Sequence, residues 1–177
     1  NNSITKNDNF QFDLSSIAKG YALDSISNLL MKANRNNYLI DIGGEIIVNG
    51  SKHGEPWTVG IQSPSAMNNQ SDTQIRSNKF LAIATSGEYR NFKLNDNGVV
   101  TSHTFIPEIQ KSLIDKSYSV TVVSEKSSMS ADAWATALNA LGPNKGIKVA
   151  NEHNISVMYI MQKNNMMIKS NYWNYND

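Results

Sequence analysis

With 177 residues, 40% of them hydrophobic and 18% charged, the chain is long enough to bury one core and ordinary in composition for a globular domain. A formal net charge of +1, with no run of Lys or Arg, leaves no electrostatic case for nucleic-acid binding. The absence of cysteine excludes disulfides, thiolate metal sites and a cysteine nucleophile; it is compatible with an oxidising compartment without requiring one. No apolar run approaches the roughly 20 residues that span a bilayer. The chain opens at Asn1 with a polar segment and runs almost directly into a motif, which reads as a trimmed or partial polypeptide, so the lack of a signal-peptide pattern carries little weight.

In chain order, residues 1–12 are polar, with Phe10 and Phe12 alternating as in a short strand. Asp13-Leu14-Ser15-Ser16 offers several side-chain caps for a helix from about Ser16 to Ala33, with Ile17, Leu23, Ile26, Leu29, Leu30 and Ala33 as its apolar stripe. Gly20 inside this helix costs about 1 kcal/mol relative to Ala. It points to a close approach to the backbone, by a ligand or by a packed neighbour. Tyr38–Ile42 and Glu45–Val48 read as strands around Gly43-Gly44, a strong turn signal and a weak ligand signal whose backbone N–H groups can face an anion. Trp57–Ile61 is a further strand, and residues 63–78, rich in Ser, Asn and Gln without periodicity, predict a surface excursion.

Phe80–Thr85 reads as a buried-type strand leading into Ser86-Gly87-Glu88-Tyr89. Asn95-Asp96-Asn97-Gly98 is a hairpin turn before Val99–Thr104, and residues 106–117 look irregular. Tyr118–Val123 is a strand that delivers the chain to a helix. A short helix near Asn144–Asn151, a strand over Ile155–Ile160, a turn at Asn164-Asn165 and a return through Met166–Ile168 complete the order. Strands and helices without regular βαβ alternation predict an α+β fold: a single domain with helices packed on a largely antiparallel, mixed sheet.

The stretch from Met129 to Gly142 reads as a helix with a clear start and stop. Ser130 is placed to cap it, Asp132 lies near the positive end of its dipole, and Gly142-Pro143 ends it. Asp132 and Thr136 are four residues apart, so their oxygens share one face. A carboxylate and a hydroxyl so arranged suit Mg²⁺, a hard cation that takes oxygen ligands and keeps waters and substrate phosphates as the remainder. The alternative is that Asp132 is a first-turn surface charge and Thr136 an ordinary helical residue; this helix alone favours that alternative.

Three separated stretches change the balance: Asp13-Leu14-Ser15-Ser16-Ile17-Ala18-Lys19-Gly20-Tyr21-Ala22-Leu23-Asp24, Leu39-Ile40-Asp41-Ile42-Gly43-Gly44-Glu45, and Met129-Ser130-Ala131-Asp132-Ala133-Trp134-Ala135-Thr136-Ala137-Leu138. In this order they resemble the signature blocks of the ApbE family, the FAD:protein FMN transferases. Further matches are Pro56–Ile61, Ala84–Tyr89 and Ser102-His103. The resemblance implies an Mg²⁺-dependent enzyme that transfers FMN from FAD to a Ser or Thr hydroxyl of a client protein through a phosphoester, releasing AMP. It implies a metal site at Asp132 and Thr136, with Ser16 as a third ligand through its backbone carbonyl. It implies FAD contacts at Asp13, Lys19, Gly43, Gly44 and Ser119, and an acid–base role for His103. Taken alone, Lys19 reads as a solvated charge, Asp13 as a plain N-cap, and His53 and His153 as surface residues. The resemblance also implies an extracytoplasmic location, periplasmic or membrane-anchored.

Two departures bear on function. Where the family continues after its histidine with Asp-Pro-x-Thr-Gly, this chain has Ile106-Pro107-Glu108-Ile109-Gln110, retaining only the proline. Family members also carry a substantial portion before the first block, where this chain has only residues 1–12; it reads as the C-terminal part of such a domain. The alternative function is therefore a catalytically impaired relative that binds FAD or a partner protein.

Overall fold

The computed structural model of the chain describes residues 3–8, 13–64, 71–87, 92–94, 100–102, 105–106, 111–112 and 117–175. The strand expected at Phe10 and Phe12, the turn at residues 95–98 and the segment from Pro107 to Gln110 lie outside the described residues.

A six-stranded sheet runs in the order β1 (Tyr38–Ile42), β2 (Glu45–Asn49), β6 (Leu81–Ser86), β11 (Tyr118–Ser124), β12 (Ser156–Met161) and β13 (Met167–Lys169), with every neighbouring pair antiparallel. The fold is α+β, as expected. Two helices, α1 (Ser15–Lys32) and α2 (Ser128–Glu152), cover one face, where Leu23, Ala131, Ala135 and Leu138 meet Ile47, Ala82, Ala84, Val120, Val122 and Tyr159. The other face is covered by the antiparallel pair β4 (Glu55–Gln62) and β5 (Ser71–Ser77), whose Val59, Ile61 and Ile75 pack against Val48, Leu81, Ile83, Val123, Met158 and Ile160. Burial on both faces explains why β6, β11 and β12 read as near-continuous apolar runs although their pairing is antiparallel.

Two expectations need correction here. Residues 71–77 of the supposed surface excursion form β5, because Thr73 and Ile75 alternate inward while polar neighbours mask the pattern. Within the stretch expected to be irregular, β10 (Lys111–Ser112) pairs with β9 (Phe105–Ile106). The strands flanking the predicted hairpin turn, β7 (Phe92–Leu94) and β8 (Val100–Ser102), pair antiparallel; a two-residue strand, β3 (Ser51–Lys52), pairs with β4.

The helices are also capped and packed differently from expectation. The first turn of α1 has no side-chain cap from its N-cap residue Leu14; instead Asp13 accepts the Ser15 N–H at 2.8 Å. Its buried line is Gly20, Leu23 and Ser27, while Ile26 and Leu29 of the predicted stripe are exposed, Leu29 at 66%. The N-cap of α2 is Ser127, not Ser130. The first amides of α2 are all satisfied: Ser128 and Met129 donate to Asp24 at 2.8 and 3.0 Å, Ser130 to Ser127 Oγ at 3.2 Å, and Ala131 to the Ser127 carbonyl at 3.2 Å. Ser127 Oγ in turn donates to Asp24 at 2.8 Å. An acidic residue of α1 thus serves the positive end of α2.

The expected end at Gly142-Pro143 is a kink within α2, where Gly142 takes φ 70° and ψ 170°. Pro143 has no N–H for the Asn139 carbonyl, and Gly142 leaves helical geometry. Two buried tyrosines supply the missing donors: Tyr118 Oη donates to the Asn139 carbonyl and Tyr159 Oη to the Leu138 carbonyl, each at 2.7 Å.

Gly20 sets how closely α1 and α2 cross. A Cβ there would fall 2.5 Å from the Ser128 carbonyl oxygen and 2.6 Å from Met129 Cα, both backbone atoms that cannot swing away. Gly20→Ala is therefore expected to lower stability by about 1–3 kcal/mol through overpacking, against the gain in helix propensity. A lower urea midpoint at unchanged m-value checks it; a higher midpoint would contradict the packing account.

Candidate active site at the helix crossing

The crossing brings the signature stretches together. Gly20 N–H donates to Asp132 Oδ2 at 3.0 Å, a buried bond between residues 112 positions apart. In a regular helix that amide serves the Ser16 carbonyl, so Asp132 enters the hydrogen-bonding neighbourhood of Ser16. Asp132 stands in the second turn of α2 and is only 3% exposed. The expectation of a first-turn surface carboxylate is thereby corrected: α1, lying across α2, covers it. Thr136, one turn further along the same face, is half-buried, as is Ser16.

A second carboxylate shares the site. Glu45 opens β2 with its side chain on the helix-covered face, the same parity as Ile47, and is also 3% exposed. Lys19 Nζ lies 2.6 Å from Glu45 Oε2 as an ion pair, with the lysine 44% exposed. Burial pushes the Glu45 carboxyl above its ordinary range; Lys19 pulls it back and the Asp132 charge adds to the rise. Burial likewise raises Asp132, against the Gly20 amide and Lys19, which both lower it. Two buried carboxylates thus stand beside one lysine.

The β1–β2 turn stands beside this cluster. Gly43 and Gly44 have φ of 61° and 99°, the doubly positive pair that a tight two-residue hairpin demands. Space beside Gly43 opens toward Lys19, whose Cδ would lie 3.9 Å from an added Cβ. The Gly44 N–H donates to Asp41 Oδ1 at 2.9 Å, which steadies the turn.

A model of the ApbE family matches residues 1–160. The chain belongs to the ApbE family. It is 38% identical over 151 residues to an FAD:protein FMN transferase of Vibrio cholerae serotype O1, covering 85% of this chain and 44% of that protein. It is 33% identical over 154 residues to the FAD:protein FMN transferase of Haemophilus influenzae, covering 86% and 44%. Among solved structures it is similar to the ApbE protein from Thermotoga maritima, with TM-score 0.77 and 26% identity over 91% of this chain and 52% of that one. It is also similar to the flavin transferase ApbE from Vibrio cholerae, with TM-score 0.72 and 34% identity over 91% and 51%. The chain spans less than half the length of these curated relatives.

Of the residues that the ApbE resemblance singles out, the structure brings Lys19, Gly43 and Asp132 to the crossing, with Ser16 one turn before Gly20 on α1 and Thr136 one turn beyond Asp132 on α2. Asp13 stands exposed at the start of α1, where the Ser15 hydroxyl and amide hold its carboxyl below the ordinary range. Ser119 is not brought to the cluster. It is fully buried in β11, one position out of register with the helix-facing Tyr118 and Val120, and so points to the β4–β5 side of the sheet. His103 lies outside the described residues. His53 and His153 are both exposed, His153 resting 5.2 Å from the Trp134 ring.

Asp24, which caps α2, Asp41, which holds the Gly44 amide, and Glu45, which pairs with Lys19, have roles that the quoted blocks do not announce. Glu45 had a signal, an acidic side chain at an inward-facing position of an apolar strand.

The donor set fits Mg²⁺. It offers a carboxyl and a hydroxyl one turn apart and a nearby backbone carbonyl, all oxygen donors of the kind that a hard divalent cation takes. Among the described residues no group of three or more His, Cys, Asp or Glu converges as a self-sufficient cage. Such a partial set suits an ion that shares its sphere with water and phosphate oxygens. Stability separates the charge of Asp132 from its hydrogen bond. Asp132→Asn keeps an oxygen for the Gly20 amide and removes a buried charge, so its urea midpoint in chelator is expected at or above that of the parent. Asp132→Ala removes the side-chain acceptor of that amide and leaves a cavity at a buried crossing, and should lose about 1–3 kcal/mol. Equal losses in both variants would contradict this assignment.

Proposed function

We propose that the chain carries the metal- and diphosphate-binding part of a flavin transferase, which moves FMN from FAD to a Ser or Thr hydroxyl of a client protein and releases AMP. The observation that supports this reading is the buried hydrogen bond from the Gly20 amide to Asp132, which stands one turn before Thr136 on α2 and faces the stretch of α1 that carries Ser16 and Lys19. The names of the relatives support the reaction class, and an extracytoplasmic setting accompanies it through the family resemblance alone.

In this reading Asp132, Thr136 and the Ser16 carbonyl hold Mg²⁺, which supplies charge neutralisation at the phosphate oxygens. Lys19 adds a positive charge at the edge of the same site, and the Gly43-Gly44 turn allows a substrate to come close. The client hydroxyl oxygen forms a bond to the FMN phosphorus as the bond to the AMP oxygen breaks. The hydroxyl proton passes to a base, the role proposed for His103. A crowded helix crossing suits phosphoryl transfer, which depends on positioning and electrostatics more than on a covalent intermediate with the protein.

The test uses the full-length protein with FAD, Mg²⁺ and a client peptide bearing a Ser/Thr acceptor. Covalent flavin on the peptide is expected. Asp132→Asn should lower the rate roughly a hundred- to thousandfold, consistent with several kcal/mol of charge stabilisation. Mg²⁺ should raise the melting temperature of the parent and leave that of Asp132→Asn unchanged. Tight FAD binding without transfer would favour the impaired relative to which residues 106–110 point. Full transfer by Asp132→Asn would remove the metal assignment.

A further inference from the structure

The cluster contains one group that the proposed chemistry does not use. Glu45 is a nearly fully buried carboxylate whose side chain caps neither helix. A buried carboxylate costs stability unless paired, and removing a buried ion pair in favour of apolar packing is often neutral or better. Its partner Lys19 is partly exposed, which weakens the return from the pair. Stability alone therefore gives no reason for Glu45 to stand at the head of β2. Its geometry supplies one: it faces the helix layer immediately after the Gly43-Gly44 turn, and its Oε2 holds Lys19 Nζ at 2.6 Å. A free lysine samples many rotamers and loses that freedom when it binds an anion; one already tethered has lost it on folding.

We infer that Glu45 is a positioning residue: it holds the Lys19 ammonium beside Asp132, ready for the anionic diphosphate of FAD. The inference rests on the flavin-transferase reading and adds to it a residue acting only through Lys19. In this role no proton or bond change is assigned to Glu45. Because its effect runs through one lysine, Glu45 and Lys19 must be energetically coupled.

The experiment is a double-mutant cycle in the full-length protein, read by FAD binding in Mg²⁺ and by steady-state transfer. Glu45→Gln and Lys19→Met are each expected to weaken FAD binding about tenfold, and the double variant should be no weaker than Lys19→Met alone. KM for FAD should rise by more than kcat falls, since pre-positioning a binding group acts mainly on substrate association. The Mg²⁺-induced rise in melting temperature should persist in Glu45→Gln, separating this role from metal binding. Glu45→Asp withdraws the carboxylate by one methylene; intermediate FAD affinity from it supports the inference even should Glu45→Gln fail to fold. Parental FAD affinity in Glu45→Gln, or effects that multiply in the double variant, would overturn the inference and leave the transferase reading standing. An unmodified protein that binds no FAD would overturn both.

Discussion

A single helix crossing, tight because Gly20 has no side chain, is the constraint from which the rest of the site follows. It lets the Gly20 amide reach Asp132 and lets Asp24 reach the first turn of α2. These contacts lock the rotation and the register of the two helices. A wider crossing would leave Asp132 exposed to water and several amides of α2 without acceptors. The kink at Gly142 and the two tyrosine hydroxyls beneath it keep the remainder of α2 on the sheet.

The crossing also creates an electrostatic debt. Two carboxylates drawn out of water share one lysine, and burial raises both toward the protonated form. Such a cluster is poor design for stability and good design for receiving a cation together with an anionic ligand. That tension, between what the fold tolerates and what a diphosphate would satisfy, is the physical basis of the proposed function.

Much of this was legible before any coordinates. The Gly43-Gly44 hairpin announces itself through turn chemistry, and β6, β11 and β12 through unbroken apolar runs. Gly20 was visible as an anomaly inside a helix, though its cause could not be chosen between ligand and packing. What stayed hidden depends on distant parts of the chain. Asp132 looks like a surface charge until α1 is laid over it, and Ser130 looks like a cap until Asp24 and Ser127 are seen to do the capping. Strand β5 was masked because only Thr73 and Ile75 turn inward. Leu29 belongs to a plausible stripe but is exposed, because the helix rotates to put Gly20 at the contact. Family resemblance pointed to Asp132, Thr136, Ser16 and Lys19 together; tertiary contact was needed to add Glu45.

The central claim is that an ion sits between Asp132 and Thr136. A crystal structure of the full-length protein grown with Mg²⁺ and FAD tests it most directly. The account predicts a metal within about 2.1 Å of an Asp132 carboxylate oxygen and of Thr136 Oγ1, with diphosphate oxygens completing its sphere. An ordered metal and FAD bound elsewhere, with Asp132 holding only the Gly20 amide, would contradict it.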